Sequence, residues 1–195
     1  MRCRGRPEAT PEPLRRKCRM ALPFFTIGHS TRSIPDFVEL LRAGRVELVI
    51  DIRTIPRSRT NPQFNAESLG DTLAPWQIGH GRIAALGGLK GRSPGVPPGV
   101  NGWWKNRSFH NYADHALSAD FRAGLLELVA LGRSRRTAIM CAEAVWWRCH
   151  RRIVADHLLA GGEAVCHLMG SGRVEPAQLS AGAVVGDGAV TYPAG

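Results

Sequence analysis

Hydrophobic residues follow two alternating patterns between about residues 23 and 169: short continuous runs and stripes at helical spacing. A short apolar run is typical of a parallel strand that is covered on both faces. Such runs occupy residues 23–27, 46–50, 136–141 and 163–169. Helical stripes lie at residues 33–44, 65–73, 111–131 (with a break near Ser118) and 149–160. This alternation predicts one α/β domain, with a mainly parallel sheet of four or five strands flanked by helices.

Three segments interrupt or flank this pattern. Residues 76–108 are rich in glycine and proline, which predicts a long irregular loop of the functional or mobile kind. Residues 171–195 are rich in glycine and alanine and are expected to be poorly ordered, chiefly beyond about Ser180. Residues 1–20 combine basic residues with prolines, which predicts a disordered basic tail. The α/β domain is therefore expected at residues 21–170.

The net charge of +10, from 26 basic and 16 acidic residues, is unevenly distributed. Residues 1–20 hold seven basic and two acidic residues, so they carry half of the net charge. This tail has three interpretations: a nucleic-acid arm, a solvated extension, or the product of a start codon placed too early, with Met20 opening the native chain. The remaining positive charge favours an anionic partner, either a small molecule or a nucleic acid.

Composition excludes several classes of protein. No stretch approaches the roughly 20 apolar residues that span a bilayer, so no membrane partner is expected. The five cysteines are too few for a disulfide scaffold, and their spacing indicates no pairing framework. The basic N-terminus lacks the apolar run of a signal peptide, so a reducing cytoplasm is the expected location.

Polar side chains of chemically active types follow three of the predicted strands. Because the carboxyl ends of parallel strands meet at one edge of a sheet, these residues should line a single rim, where α/β proteins bind ligands. The rim residues are His29, Ser30, Arg32, Asp51, Arg53, Arg57, Cys141, Glu143, Cys149, His150 and Arg151. The sequence therefore predicts an enzyme-like, anion-binding site with an unassigned reaction.

Cys141 is the candidate nucleophile, or a ligand, in this site. It ends a buried strand and precedes a helix, and both the helix N-terminus and nearby arginines favour a thiolate. This environment predicts a lowered pKa for the Cys141 thiol, with Glu143 and His150 as acid–base residues. The alternative is that Cys141 is a small buried strand residue and that His150 and Arg151 pair with Asp51 or Glu143 to tie the helix to the sheet.

Arginines from the strand ends are the candidate anion-binding groups. Arg53, Arg57 and Arg151 carry guanidinium groups that suit phosphate, sulfate or carboxylate. The alternative is an internal ion pair with Arg151 or Arg57 at the strand end that carries Asp51 and Arg53, since an unpaired charge at the end of a buried strand is costly. The predicted substrate-binding set also includes His29, Ser30, Arg32 and Cys149.

A metal site with zinc or iron is a further alternative. Cys141 with Cys149 or His150, together with His29 or Asp51, offers suitable ligand types. Adjacent residues of a helix diverge by about 100°, so Cys149 and His150 are not expected to bind one ion together. The chain also lacks CxxC and HxxxH motifs. The sequence therefore assigns no metal ligands and requires no cofactor.

Two tryptophan pairs, Trp103–Trp104 and Trp146–Trp147, support a different hypothesis. At least one ring of each pair is expected in the core. An exposed ring beside a basic surface is suited to stacking on a nucleobase. A nucleic-acid-binding module that uses the basic surface and exposed tryptophan is therefore the second functional hypothesis.

Five sequence blocks resemble, in the same order, those of a known family. They extend from about Phe25 to Met169 and read TIGHSTRS, DIRTIPRSRTNPQFN, LGGLKGR, RSFHNYADH and MCAEAVWWRCHRR. In these blocks the chain is similar to the domain-of-unknown-function 488 family, a resemblance that implies no assigned activity. The family's motif positions coincide with the rim residues. One departure lies at residues 79–85, where family members often carry a histidine and a proline, and it leaves His80 displaced.

Overall fold

The computed structural model describes residues 22–195, in which strands and helices alternate. The helices are α1 (Ile34–Ala43), α2 (Ala66–Leu73), α3 (Arg107–His115), α4 (Ala119–Gly132) and α5 (Arg151–Ala160). The strands are β1 (Phe24–Gly28), β2 (Leu48–Asp51), β3 (Gly79–Arg82), β4 (Thr137–Cys141), β5 (Val165–Met169), β6 (Arg173–Pro176), β7 (Val184–Gly186) and β8 (Ala189–Thr191). No helix in this part of the chain is long and apolar enough to cross a membrane. The tail predicted at residues 1–20 lies outside the described residues.

The central sheet has six strands in the order β3-β2-β4-β1-β5-β6. The first five are parallel to one another, and β6 pairs with β5 in the antiparallel direction. The predicted α/β fold with a mainly parallel sheet is therefore confirmed, although the sheet has six strands where four or five were expected.

Successive residues of the central strands enter two hydrophobic clusters, one on each face of the sheet. Val49 packs with residues of α1 and α2, whereas its neighbours Leu48 and Ile50 pack with residues of α3, α4 and α5. In β4, Ile139 and Met140 divide between the clusters in the same way. Because helices cover both faces, the central strands are apolar at nearly every position.

Strand β3 lies inside the segment predicted to be an irregular loop, so that part of the prediction is wrong. Its sequence, Gly79-His80-Gly81-Arg82, contains no apolar side chain. It pairs with β2 at the edge of the sheet, and the buried residues Ile78 and Ile83 flank it. Because the flanking residues Ile78 and Ile83 are buried, this short edge strand needs no apolar residues of its own. The pattern of hydrophobic residues in the sequence therefore does not predict it.

The C-terminal segment differs from the prediction of poor order beyond Ser180. β6 completes the sheet, and β7 pairs with β8 in a separate hairpin. The Tyr192 side chain is fully buried, and its hydroxyl donates a 2.7 Å hydrogen bond to Asp156 Oδ2 in α5. The Ser180 amide donates to Oδ1 of the same carboxylate at 2.9 Å. These contacts join residues far apart in the chain, which local composition does not indicate.

A capping side chain produces the predicted break near Ser118. α3 ends at His115, and α4 begins at Ala119 after Ser118, whose Oγ accepts a hydrogen bond from the Phe121 amide at 3.2 Å. The break is therefore confirmed. α5 begins at Arg151, two residues later than predicted, and this difference changes the geometry of the candidate site.

Three buried histidines should make the folded protein sensitive to acid. Burial is the largest cause that lowers the pKa of His29, His157 and His167, in each case to about 4. Histidine in an unfolded chain has a pKa of about 6.5, so protonation favours the unfolded state once the pH falls below that value. We expect these rings to leave the free energy of unfolding unaffected above about pH 7 and to lower it from about pH 6.5 to pH 4, as urea denaturation can measure.

A His157→Leu variant separates this effect from the protonation of surface groups, because it removes one of the three buried rings. Its free energy of unfolding should depend less steeply on pH in that interval than the wild-type value. Equal slopes for the wild type and His157→Leu would contradict the prediction.

Candidate functional site

The candidate site lies where β2, β4 and β1 end side by side. Gly28 at the end of β1 pairs with Cys141 at the end of β4, and Asp51 at the end of β2 pairs with Met140. The loop after β4 folds closely over β1, since a Cβ atom on Gly28 would lie 1.8 Å from the Glu143 carbonyl oxygen. These strand ends share one rim, and glycine is required where the two loops touch.

Two cysteines and a histidine meet at this rim. His150 Nδ1 lies 3.8 Å from Cys141 Sγ and 3.6 Å from Cys149 Sγ. The potential ligand atoms of the three residues all lie within 4.8 Å of one another. Both cysteines are buried and His150 is half-buried. Cys141 therefore belongs to a polar cluster, called here the cysteine–histidine cluster, and is not an isolated strand residue.

The orientation of the His150 ring is fixed on its far side. Its Nε2 lies 3.0 Å from the Ile52 carbonyl oxygen, which can only accept a hydrogen bond. Nε2 therefore carries the hydrogen, and the lone pair of Nδ1 faces the two sulfur atoms. Tyr112 packs against the ring at a centroid distance of 4.9 Å. A hydrogen bond from the second ring nitrogen to a carbonyl is typical of metal-binding histidines.

The late start of α5 explains why Cys149 and His150 converge. Cys149 has an extended backbone, with φ −127° and ψ 144°, and the helix begins only at Arg151. The divergence of about 100° between adjacent helical residues therefore does not apply. The prediction that these two side chains point apart is wrong, because it placed both residues inside the helix.

The two thiols of the cluster have opposite pKa shifts. The hydrogen bond with Cys149, together with burial, raises the pKa of Cys141 to about 12. Burial also acts to raise the pKa of Cys149, but the hydrogen bond from Cys141 and the positive charge of Arg151 outweigh it and lower the pKa to about 7. The thiolate therefore belongs to Cys149, whereas the expectation from sequence was a lowered pKa at Cys141.

Arg151 supplies a buried positive charge beside this thiolate. It is 1% exposed and donates hydrogen bonds to the carbonyl oxygens of Glu143, at 2.7 Å, and Ala144, at 3.1 Å. Among residues 22–195, no carboxylate forms an ion pair with it, so the expected pairing with the Asp51 or Glu143 carboxylate is not found. A buried charge needs a counter-charge, and the Cys149 thiolate provides one.

Asp51 and Arg53 form an ion pair with each other, so the expected partners, Arg151 and Arg57, are not the ones found. The Arg53 guanidinium donates to the Asp51 carboxylate at 2.6–3.1 Å and to the Phe64 carbonyl oxygen at 2.6 Å. His29 Nε2 lies 3.1 Å from Arg53 Nη1, and His29 Nδ1 lies 2.8 Å from the Ser30 carbonyl oxygen. The contacts with Asp51, Phe64 and His29 use four of the five side-chain N–H groups of Arg53. They link the ends of β1 and β2 to the Phe64 backbone.

Two predicted anion-binding arginines do not reach the cysteine–histidine cluster. Arg32 is half-buried and donates to the Gly28 carbonyl oxygen at 2.5 Å. Arg57 is exposed and pairs with Glu67 of α2. Arg57 instead borders a second depression, together with His29 and Ser30.

A cleft of about 390 Å³ opens onto the cysteine–histidine cluster. The exposed side chains of Glu143 and Arg148 line it, and part of the buried Arg53 borders it. Ile55 and Leu89 also line the cleft, although they are 65% and 71% exposed. The cleft thus combines a thiol–imidazole end with charged walls and an apolar mouth.

Gly88 and the Ile52 carbonyl are parts of the site that sequence reasoning did not assign. The Gly87–Gly88 pair predicts either a positive φ or the close approach of a ligand; neither glycine has a positive φ, and the group close to Gly88 is the His150 imidazole. A Cβ atom on Gly88 would lie 2.3 Å from His150 Nδ1. The contact with the Ile52 carbonyl gives no signal in the sequence, because every residue carries that group.

The expectation of a core ring in each tryptophan pair is met only by Trp103–Trp104, because Trp146 is half-buried and Trp147 is exposed. Trp104 is buried, and Trp146 stacks on His167 at a centroid distance of 4.3 Å. The Arg152 guanidinium lies 5.1 Å from the Trp104 ring centroid and 5.6 Å from that of Trp146. Trp147 is 46% exposed, so one ring of this pair does remain accessible.

The chain matches one family along most of its length. The match to the family described as "Domain of unknown function DUF488" covers residues 33–158. The chain belongs to the DUF488 family. The matched part of this DUF488 protein includes the cysteine–histidine cluster and Arg151, whereas His29 and Ser30 precede it. No curated protein and no solved structure matches the chain.

Proposed function

We propose that this DUF488 protein is a metal-dependent enzyme that binds a divalent transition-metal ion through Cys141, Cys149 and His150. The observation that supports this most is the convergence of two sulfur atoms and one imidazole nitrogen within 4.8 Å, at the end of a cleft. Thiolate and imidazole are preferred ligands of zinc and also bind iron. Three protein ligands with one open position are typical of catalytic zinc sites, whereas structural sites use four.

Two contacts prepare the cluster for an ion. In the neutral ring, the hydrogen bond to the Ile52 carbonyl holds the hydrogen on Nε2 and turns the Nδ1 lone pair towards the sulfur atoms, so the ring needs no rearrangement. Arg151 places a positive charge beside Cys149, which favours the thiolate form that binds metals. The His150–Ile52 hydrogen bond and the Arg151 charge are both present in the protein without a bound ion.

The walls of the cleft support a reaction on an anionic substrate. Arg148 and the remaining N–H of Arg53 offer donors to an anion. The exposed Glu143 carboxylate is the candidate general acid–base group. A bound ion would supply Lewis acidity and lower the pKa of a water molecule. Because the cluster requires reduced cysteines, we place this activity in the cytoplasm.

Metal analysis of the purified, tag-free chain tests this proposal. The protein is stripped with a chelator and then reloaded under reducing conditions with Zn²⁺, Co²⁺ or Fe²⁺. We expect about one ion per chain to remain after gel filtration, because the buried thiolates bind such ions tightly. A chain that retains none of the three ions would overturn the proposal.

A second candidate is thiol chemistry at Cys149 without a metal, a role that the sequence had indicated for Cys141. The contact that favours it is Arg151, which has no carboxylate partner in the described part of the chain and therefore stabilises a nucleophilic thiolate. Iodoacetamide distinguishes the two candidates. Protection of Cys149 by Zn²⁺, with Cys166 as the unprotected control, supports the metal site, whereas fast alkylation that no ion prevents favours the thiol enzyme.

A further inference from the structure

Two further depressions adjoin the central cleft. The first, called the loop depression, has a volume of about 340 Å³ and shares Arg53, Ile55 and Ala142 with the cleft. The second, called the helix depression, has a volume of about 320 Å³ and lies at the start of α3. Some side chains of residues 105–110 line the cleft and others line the helix depression. The helix depression shares no lining residue with the cleft or with the loop depression, and it adjoins the cleft only through alternate residues of this segment.

Positive side chains dominate the lining of all three cavities. Six arginines and lysines line them, against two carboxylates, and two of the six, Arg53 and Arg57, also pair with Asp51 and Glu67, which lie outside the lining. One of these carboxylates, Asp114, is buried and accepts a 2.8 Å hydrogen bond from Asn101. The six basic residues are Arg53, Arg57, Arg92, Lys105, Arg107 and Arg148. Neighbouring cavities with this excess of basic side chains attract a ligand that carries several negative charges.

The sequence shows the same bias beside the cleft. Residues 72–113 contain five lysines and arginines and no aspartate or glutamate. This stretch supplies Leu89 to the cleft and Arg92, Lys105 and Arg107 to the helix depression. The excess of positive charge is therefore concentrated in this stretch, and three of its five basic residues line the helix depression.

The loop depression is suited to a single phosphate group. Its lining offers Arg57, the hydroxyls of Ser30 and Ser58 and the amide of Asn61, and no carboxylate of the described residues lines it. Ser30 lies in the turn after β1 and has a φ of 50°, a left-handed conformation that is uncommon for serine. Arg53 also borders this depression, and one Nη1 hydrogen has no partner among residues 22–195.

The central cleft is suited to an uncharged ring. Ile55 and Leu89 present large exposed apolar side chains to it, and Phe109 contributes an aromatic ring to its lining. A volume of about 390 Å³ falls within the range of sites that enclose small ligands. Apolar and aromatic side chains hold nucleobases by contact with their faces. The order of a phosphate, a base and a phosphate along a strand matches the order of depression, cleft and depression.

We propose that this surface binds a single-stranded nucleic acid, with one base in the central cleft and the flanking phosphates in the two depressions. A duplex keeps its bases stacked and paired, so it cannot fill the cleft without local opening. A mononucleotide would leave at least one depression unused. The inference rests on the proposed function in one respect, since it takes the central cleft as the site of reaction. Binding of the strand itself requires no metal.

Fluorescence anisotropy tests this proposal with labelled single-stranded DNA and RNA of about 12 nucleotides. The cavity variant, Arg57→Gln with Arg107→Gln, removes one arginine from each depression. The control variant, Arg122→Gln with Arg133→Gln, removes two exposed arginines at the ends of α4 that line none of the three cavities. The two variants have the same net charge and the same N-terminal tail. A difference in their affinity for the strand therefore depends on where the two arginines lie.

We expect the cavity variant to bind the strand roughly tenfold more weakly at 50 mM salt and to lose about 0.7 from the salt slope for each arginine removed. The control variant should stay within about twofold of the wild type. Equal losses in both variants would overturn the proposal, as would equal binding of a duplex or full competition by adenosine monophosphate. The assay uses chelator-treated protein, so failure to bind a strand and failure to bind a metal are separate results.

Discussion

Replacing Cys149 with serine is expected to lower the affinity for Zn²⁺ by more than about 100-fold. Loss of a residue that only supports a metal ligand lowers the affinity by roughly 10- to 100-fold, and loss of a ligand should cost more. The reason is that the substitution removes one of only three proposed protein ligands, the one that carries the thiolate. Cys141→Ser should cause a similar loss. Competition with a coloured chelator measures the affinities of the wild type and the variants.

Cys166 provides the matched control for this experiment. It is also a free cysteine, but it lies in β5 outside the cysteine–histidine cluster. Cys166→Ser should therefore retain the wild-type affinity for Zn²⁺. If Cys149→Ser binds Zn²⁺ as tightly as Cys166→Ser does, the cluster is not the metal site.

Adding a methyl group at Gly88 should displace His150 from the two sulfur atoms. The new Cβ atom would lie 2.3 Å from His150 Nδ1, and the ring has little freedom because its Nε2 is bonded to the Ile52 carbonyl. We expect Gly88→Ala to lower the affinity for Zn²⁺ by at least about tenfold. Overpacking of this kind should also lower the free energy of unfolding by about 1–3 kcal/mol. Chelator competition and urea denaturation measure the two effects.

Two neighbouring glycines separate the effect on His150 from general strain. A Cβ atom on Gly91 would have no neighbour within 4 Å, so Gly91→Ala should change neither quantity. A Cβ atom on Gly87 would lie 2.8 Å from Thr54 Oγ1, so Gly87→Ala should destabilise the fold while Zn²⁺ binding is largely retained. Similar losses of Zn²⁺ affinity in the Gly87 and Gly88 variants would contradict a specific role in positioning His150.

The central strands are predictable from sequence because both of their faces are covered. Val49 and Ile50 point to opposite clusters, yet both must be apolar, which gives a continuous run. The edge strand Gly79–Arg82 lacks this constraint and is recognisable only from its pairing with β2. Tyr192 is held by Asp156, 36 residues earlier in the chain, so its burial is likewise not encoded in its local sequence.

The location of the site is predictable for a related reason, whereas its internal geometry is not. Parallel topology places Gly28, Asp51 and Cys141 at one edge. Whether Arg53 faces an anion or turns back to Asp51 depends on side-chain packing, which residue type does not determine. The identity of the thiolate depends on the contact between Cys149 and the buried Arg151, and that contact follows from the point at which α5 begins.

X-ray absorption spectroscopy at the zinc edge of the reloaded chain tests the metal site most directly, because it counts and identifies the ligand atoms. Two sulfur atoms at about 2.3 Å and one nitrogen at about 2.0–2.1 Å are expected, with the remaining position held by a light atom from solvent. The Cys149→Ser protein, if it retains zinc, should show a single sulfur. A wild-type spectrum with no sulfur ligand, or with four, would contradict the assignment of Cys141, Cys149 and His150.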